Sequence, residues 1–284
     1  MTRVVSKVYG AVSIVNAIAL KKGSTLGIDT FVETMLTKKE GTGIHITAEN
    51  KTISSRLINK VIENMVPRKI LDKTKLELDF KSNIPTGYGL KSSSAISTAV
   101  AMASAKLFKP QMNDIEILNV GVDASIETKV SLTGAYDDAC ACYYGGFVVT
   151  NNHMKKIIHS EKCLNRVSAV IFIPKSRKRG NVRKLKASSS DFEQAWNLAK
   201  KSDYWNAMIL NGLATSAILS SEPKIIPKLI ENGALGASVS GNGPSIAAIV
   251  RNDSVLKIKR VFSSLDGSTT VSEINNKKAE VHEV

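Results

Sequence analysis

The chain has 284 residues, a formal net charge of +14 and an isoelectric point of about 9.6; it is 43% hydrophobic but only 5% aromatic. That supplies an ample aliphatic core for one large or two closely packed domains, and no apolar run reaches the roughly 20 residues of a membrane span. Cys140, Cys142 and Cys163 have neither zinc nor redox spacing and read as buried reduced thiols, and Ser13 and Asn16 break the mildly apolar start, so a cytoplasmic protein without a signal peptide is expected.

In chain order, Val4–Tyr9 and Gly27–Leu36 are predicted strands, rich in β-branched residues. Gly41 and Gly43 mark a turn into a short strand at Ile44–Ala48. Leu57, Val61, Ile62 and Met65 fall at helical spacing within Ser54–Val66. Leu76–Phe80 alternates apolar and charged residues, as a half-buried strand does. A Gly/Ser loop follows, then an Ala-rich helix from Ala95 to Phe108. Asn113 or Asp114 caps the next helix, Ile115–Thr128. Phe147–Thr150 is a strand before an Asn151-Asn152 turn, and Val167–Ile173 is another, ending at Pro174. Asp191–Leu219 carries one or two helices and Lys224–Glu231 a further one. Ala237–Ser240 and Ile246–Val250 pair as strands around Gly241–Pro244; Val255–Phe262 is helical and Thr269–Ile274 a last strand. Interspersed strands and helices with no internal repeat define an α/β or α+β class, with a boundary near residues 150–165.

Three stretches carry chemistry. The first reads Pro85, Thr86, Gly87, Tyr88, Gly89, Leu90, Lys91, Ser92, Ser93, Ser94, Ala95. Its glycines permit positive φ and close approach of a ligand. A Gly/Ser loop that opens a helix presents unpaired N–H groups and the positive end of the helix dipole, which suits a phosphate chain. It is no Walker loop, since Lys91 follows Leu90, and no Rossmann turn, since Ser92 stands at the third glycine position. The second is Glu127 and, ten residues on, Asp137-Asp138 in a small, apolar setting. An unpaired buried carboxylate is costly, so these acids either cap a helix beginning near Ala139 or serve chemistry. The third is Gly233–Ser245, with four glycines and three serines, which on its residues alone reads either as a tight β-turn or as a glycine-rich loop beside a site. Phosphoryl transfer needs a phosphate cradle, a cation, a group to position the acceptor hydroxyl, and a complement for the transferred charge. The loop's serines also offer Mg²⁺ the hard oxygen donors it favours.

Seven of the twelve residues in Lys175–Lys186 are basic. No aromatic residue interleaves with them, so they read as a solvated loop or one that meets an anionic substrate or nucleotide. Neither nucleic acid nor membrane is an expected partner. A basic protein that binds RNA or polyanionic surfaces would explain the charge but not the ordered loops and acids.

The loop at Pro85–Ala95 resembles the Pro-x-x-x-Gly-Leu-x-Ser-Ser-x-Ala loop of the GHMP kinases (galactokinase, homoserine, mevalonate and phosphomevalonate kinases). The acids and the third loop follow in that family's order, with Ser240-Gly241-Asn242-Gly243 in place of its Gly-Ala-Gly core. The resemblance implies a two-lobed α+β fold. Residues 1–155 would form a lobe like the second domain of ribosomal protein S5, and residues 156–284 a ferredoxin-like lobe. It implies ATP held by Pro85–Ala95, Mg²⁺ held by Ser93 or Ser94 with Glu127, and a catalytic aspartate. Matching the family's Asp-Asn-Ala favours Asp137, whereas the Glu-to-Asp spacing favours Asp138. Lys7 would offset charge on the transferred group. The Gly-Glu-His that follows this lysine in mevalonate and galactokinases is missing here. Gly10–Asn16, Lys22-Gly23, Gly27-Ile28-Asp29, Lys91 with its three serines, and Thr133–Ala139 followed by Gly145-Gly146 look like the archaeal-type shikimate kinases over nearly the whole chain. That implies ATP-dependent phosphorylation of the shikimate 3-hydroxyl, on the route to chorismate and aromatic amino acids. Lys7, Asn16, Arg177 and Arg183 are candidates to bind the acceptor, with Ser240 and Gly241 beside it. Homoserine kinase is the rival within the same fold; its zwitterionic substrate also needs an anion for the ammonium.

Overall fold

The computed structural model describes residues 2–48, 53–164, 166–178, 180–219 and 222–284. Two long strands set the frame: β1 (Thr2–Val15) and β2 (Lys22–Glu40), antiparallel with Val4 opposite Leu36 and Val8 opposite Val32. The elements β3 (Gly43–Ala48), α1 (Ser55–Met65), α2 (Arg68–Leu71), β4 (Thr74–Ser82), α3 (Ser92–Phe108), α4 (Asp114–Glu127), α5 (Tyr136–Tyr144), β5 (Phe147–Asn151) and β6 (Lys156–Glu161) follow. β2 is long enough to pair with β4 along its second half and with β5 along its first, and β6 adds to β5. The first sheet therefore runs β11-β1-β2-β4-β3 with β5 and β6 branching from β2. Its partner at the β1 edge is β11 (Glu280–Glu283), which arrives from the far end of the sequence.

Local chemistry sets the helices. The Ser54 side chain accepts the Leu57 N–H and caps α1, whose Leu57, Ile58, Val61, Ile62 and Met65 are buried. Asn113 and Glu116 form a reciprocal capping box at the start of α4. α3 is buried on nearly every side, which its Ala and Ser residues permit because they let neighbouring backbones approach closely. It packs against β1, β2, α1, α4 and α5.

The second sheet has the order β10-β7-β9-β8, built from β7 (Val167–Pro174), β8 (Ala234–Val239), β9 (Ile246–Arg251) and β10 (Gly267–Glu273). Between them lie a 3₁₀ turn (Val182–Ser188), α6 (Ser189–Ala199), α7 (Tyr204–Leu219), α8 (Ile225–Glu231) and α9 (Val255–Ser263). Strand alternation divides the burial. Ala169, Ile171, Ala247 and Ile249 join the core shared with the first sheet, while Val170, Phe172, Ala248 and Val250 face a second core with Leu229, Ile258 and Phe262. The fold is α+β with two sheets, as expected. Two strands were not foreseen: β6 and β11 are short, charged and mostly exposed, so they carry little hydrophobic pattern, and both belong to the first sheet.

Candidate active site

The loop between β4 and α3 brings the site together. Gly87 and Gly89 have φ of +85° and +84°, and Lys91 at the N-cap of α3 is itself left-handed at +66°. A Cβ on Gly89 would sit 1.9 Å from the Ser240 carbonyl oxygen, so this backbone lies directly on the third glycine-rich loop. The two loops are tied by side chains. Ser240 Oγ donates to the Gly89 carbonyl (2.9 Å), and Ser245 Oγ to the Tyr88 carbonyl (2.6 Å). β1 joins them, since Ser13 N–H donates to Ser240 Oγ (3.2 Å) and Gly241 N–H to Ser13 Oγ (3.0 Å). The α3 helix opens one residue beyond Lys91, earlier than Ala95, so Ser92, Ser93 and Ser94 form its first turn. Their N–H groups lie where a helix leaves its donors unpaired.

Both aspartates face this loop across a cleft of about 270 Å³, together with Ser13, Asn16, Gly241 and Asn242. They cap nothing: α5 begins at Tyr136 behind a left-handed Ala135, so the acids lie inside its first turn. There the helix dipole favours their charge. Asp137 is 3% exposed. Its Oδ1 accepts from Asn152 Nδ2 at 2.7 Å and its Oδ2 from Thr25 Oγ1 at 3.1 Å. Asp138 Oδ1 takes Lys91 Nζ at 2.9 Å and lies 3.2 Å from the same Thr25 hydroxyl. One hydroxyl proton thus faces two carboxylates. Burial, then the charge of Asp138, push the Asp137 carboxyl well above its ordinary value, against the pull of Lys91, Asn152 and Thr25.

Other sequence-nominated residues fall at varied distances from this centre. Asn16 lines the cleft, its amide donating to the Gly241 carbonyl (2.7 Å). Ser240 is fully buried beneath it and occupied in joining the loops. The Arg177 guanidinium lies over the Tyr88 ring, 5.2 Å from its centroid, at the edge of the loop between β4 and α3. Arg183 is exposed on the 3₁₀ turn, outside the cleft lining. Lys7 is six residues up β1 from Ser13, about 20 Å along the strand, with its ammonium 4.7 Å from the Phe31 ring centroid. Glu127 turns away: it pairs with Lys60 (2.9 Å) and accepts from Asn64 (3.1 Å). Ser125, two residues earlier on α4, is the one that lines the cleft, and a two-residue step carries a side chain about 200° around a helix. Sequence reasoning missed Thr25 and Asn152. The sequence marks Asn152 only as part of a turn.

The Gly/Ser loop, the helix start and the buried acid pair meet at one cleft between two sheets. The GHMP kinases N terminal domain matches residues 56–146. The mevalonate kinase of Methanococcus jannaschii has the same fold, with a TM-score of 0.76 at 16% identity, covering 96% of this chain and 98% of that one. The molecule is a GHMP-type small-molecule kinase. The shikimate kinase of Methanosarcina mazei is 36% identical over 285 residues, covering 95% of this chain and 94% of its own. That of Methanobrevibacter smithii is 32% identical over 278 residues, at 94% and 95%. The chain belongs to this archaeal shikimate kinase family, whose kinase character implies ATP as phosphoryl donor. Among the described residues no helix is long and apolar enough to cross a membrane.

Proposed function

We propose that the protein transfers the γ-phosphoryl group of ATP to the 3-hydroxyl of shikimate. The observation that carries the chemistry is Asp137, a buried carboxylate held by Thr25 and Asn152 across the cleft from the phosphate loop. The near full-length likeness to shikimate kinases selects the acceptor. In this reading the ATP phosphates lie against Gly87–Ser94, where the helix start supplies N–H donors and a favourable dipole. Asp137 orients the acceptor hydroxyl and takes its proton as the oxygen attacks the γ-phosphorus in line and the bond to the β,γ-bridging oxygen breaks. Asn16 and Arg177 contribute to acceptor recognition, Arg177 as a cation for the carboxylate.

The hydroxyls on the first turn of α3 suit a Mg²⁺ that arrives mainly coordinated by phosphates. Ser94, in the cleft lining, is the residue proposed to hold it; the ion offsets phosphate charge when bound. Glu127, engaged with Lys60, is left out of this set.

A coupled ADP-release assay with shikimate, homoserine and mevalonate tests the reading. Turnover with shikimate alone is expected. Turnover with another alcohol would replace the acceptor, and no turnover with any would overturn the proposal. The base must be ionised to act, so the raised Asp137 carboxyl has a signed consequence. The rate is expected to fall on acidification with an apparent pKa above the ordinary carboxyl value of about 3.9. A profile of kcat against pH reads this directly, and an acid limb at or below that value would reject Asp137 as the base.

A further inference from the structure

Lys91 is built into the site in a way that a loop lysine need not be. Its side chain is 4% exposed, and Nζ reaches Ser13 Oγ at 2.7 Å and Asp138 Oδ1 at 2.9 Å. A glycine would take the left-handed backbone here without strain, whereas a residue with a Cβ is held there only by its surroundings. Among the described residues lining the cleft it is the only cation, set against two carboxylates. An ammonium has three N–H donors. Two meet the protein acceptors just named, which leaves one for a ligand oxygen.

We propose that Lys91 is the catalytic cation that complements charge on the transferred phosphoryl group, and that Asp138 is a positioning residue that holds it, leaving Asp137 as the base. The inference rests on the kinase reading above. It gives the two adjacent acids different tasks. Asp138 directs its charge to Lys91; among the described residues the donors to the Asp137 carboxylate are the neutral Thr25 and Asn152. It also places the compensating positive charge on the phosphate loop itself, rather than on Lys7 of β1 with its ammonium over Phe31. The lysine that reads the phosphates is thereby tied to the strand and loop that floor the cleft, through Ser13 and its bond from Gly241.

The test compares K91M, K91R, D138N and D137N with the acceptor that the wild-type protein phosphorylates, and measures affinity for a non-hydrolysable ATP analogue by calorimetry. Loss of one preorganised charge-stabilising donor is worth about 10²–10³ in kcat, so K91M is expected to lose that much. Its analogue affinity should change by less than about tenfold, or roughly 1.4 kcal/mol. K91R should recover part of the rate. Among the described residues the charged groups facing Asp137 are Asp138 on α5 and Lys91 at the N-cap of α3; Cys140 and Cys142 are pushed up by burial and stay neutral. D138N removes the repulsion, so it should keep measurable turnover with its acid limb moved to lower pH, while D137N should lose both. K91M turning over at the wild-type rate would overturn the Lys91 assignment. So would a D138N variant that binds the analogue but is as inactive as D137N. If K91M does not fold, K91R and D138N carry the same decision. A wild-type protein that phosphorylates no acceptor would instead remove the kinase reading, a separate failure.

Discussion

Asp137→Asn is expected to lower kcat by roughly 10²–10⁴ while ATP affinity stays near that of the wild type. The substitution changes little sterically. The new amide oxygen still accepts from Asn152, and the new NH₂ donates to the Thr25 hydroxyl in place of accepting from it, so both buried partners remain satisfied. Stability should move the opposite way from activity. The folded protein holds the Asp137 proton more tightly than the unfolded chain does, so ionisation of this group works against folding as pH rises above the unfolded value. The Asn variant is free of that cost. It should melt at a higher temperature than the wild type at pH 8, and the difference should shrink as pH falls toward about 4, where both side chains are neutral. Thermal melts at the two pH values, beside steady-state kinetics, check both halves. Wild-type turnover would reject the role, and a variant less stable at pH 8 would reject the account of its environment.

The second large effect is expected at Gly89. Gly89→Ala places a Cβ 1.9 Å from the Ser240 carbonyl oxygen and 2.9 Å from its carbon, and backbone cannot swing aside as a side chain tip does. The Gly/Ser loop must lift off the third loop and break the bonds from Ser240 and Ser245. Gly87→Ala is the control. Its φ is almost the same, yet its Cβ would meet only Arg177 Nη1 at 3.8 Å, so it bears backbone strain alone, about 1–2 kcal/mol. Calorimetric ATP binding and melting temperature should show Gly89→Ala severely impaired in both and Gly87→Ala mildly so. Equal behaviour of the two would mean that contact between the loops does not shape the proposed nucleotide site.

What was legible in the sequence was local. A Gly/Ser loop that opens a helix is a contiguous arrangement, so its eleven residues are legible as a candidate phosphate site. The acid pair was legible because two carboxylates in a small apolar stretch need a reason. The partners of those acids were hidden because strand pairing supplies them. Thr25 reaches Asp137 from 112 positions away, and Ser13 reaches Lys91 from 78. Neither residue type is unusual where it stands, and only the register of β2 and β5 brings Thr25 and Asn152 to the same carboxylate. Glu127 shows the converse. Its position along the chain is near the acids, but its place around α4 directs it to Lys60.

The order of the strands also bears on how the molecule is made. β1 is the second strand of the first sheet, yet its neighbour at residues Val4–Lys7 is β11, which follows the whole of the second sheet in sequence. Asn275 and Ala279, on the way to β11, bond back to Gly27, Gly146 and Tyr143. During translation one side of β1 therefore waits with unpaired backbone until nearly every other element has left the ribosome. An unpaired strand edge invites association with other chains. β1, made before the other described elements, is thus sealed on this edge only after β11, and the cleft it floors is assembled on a sheet completed after the whole of the second sheet has been made.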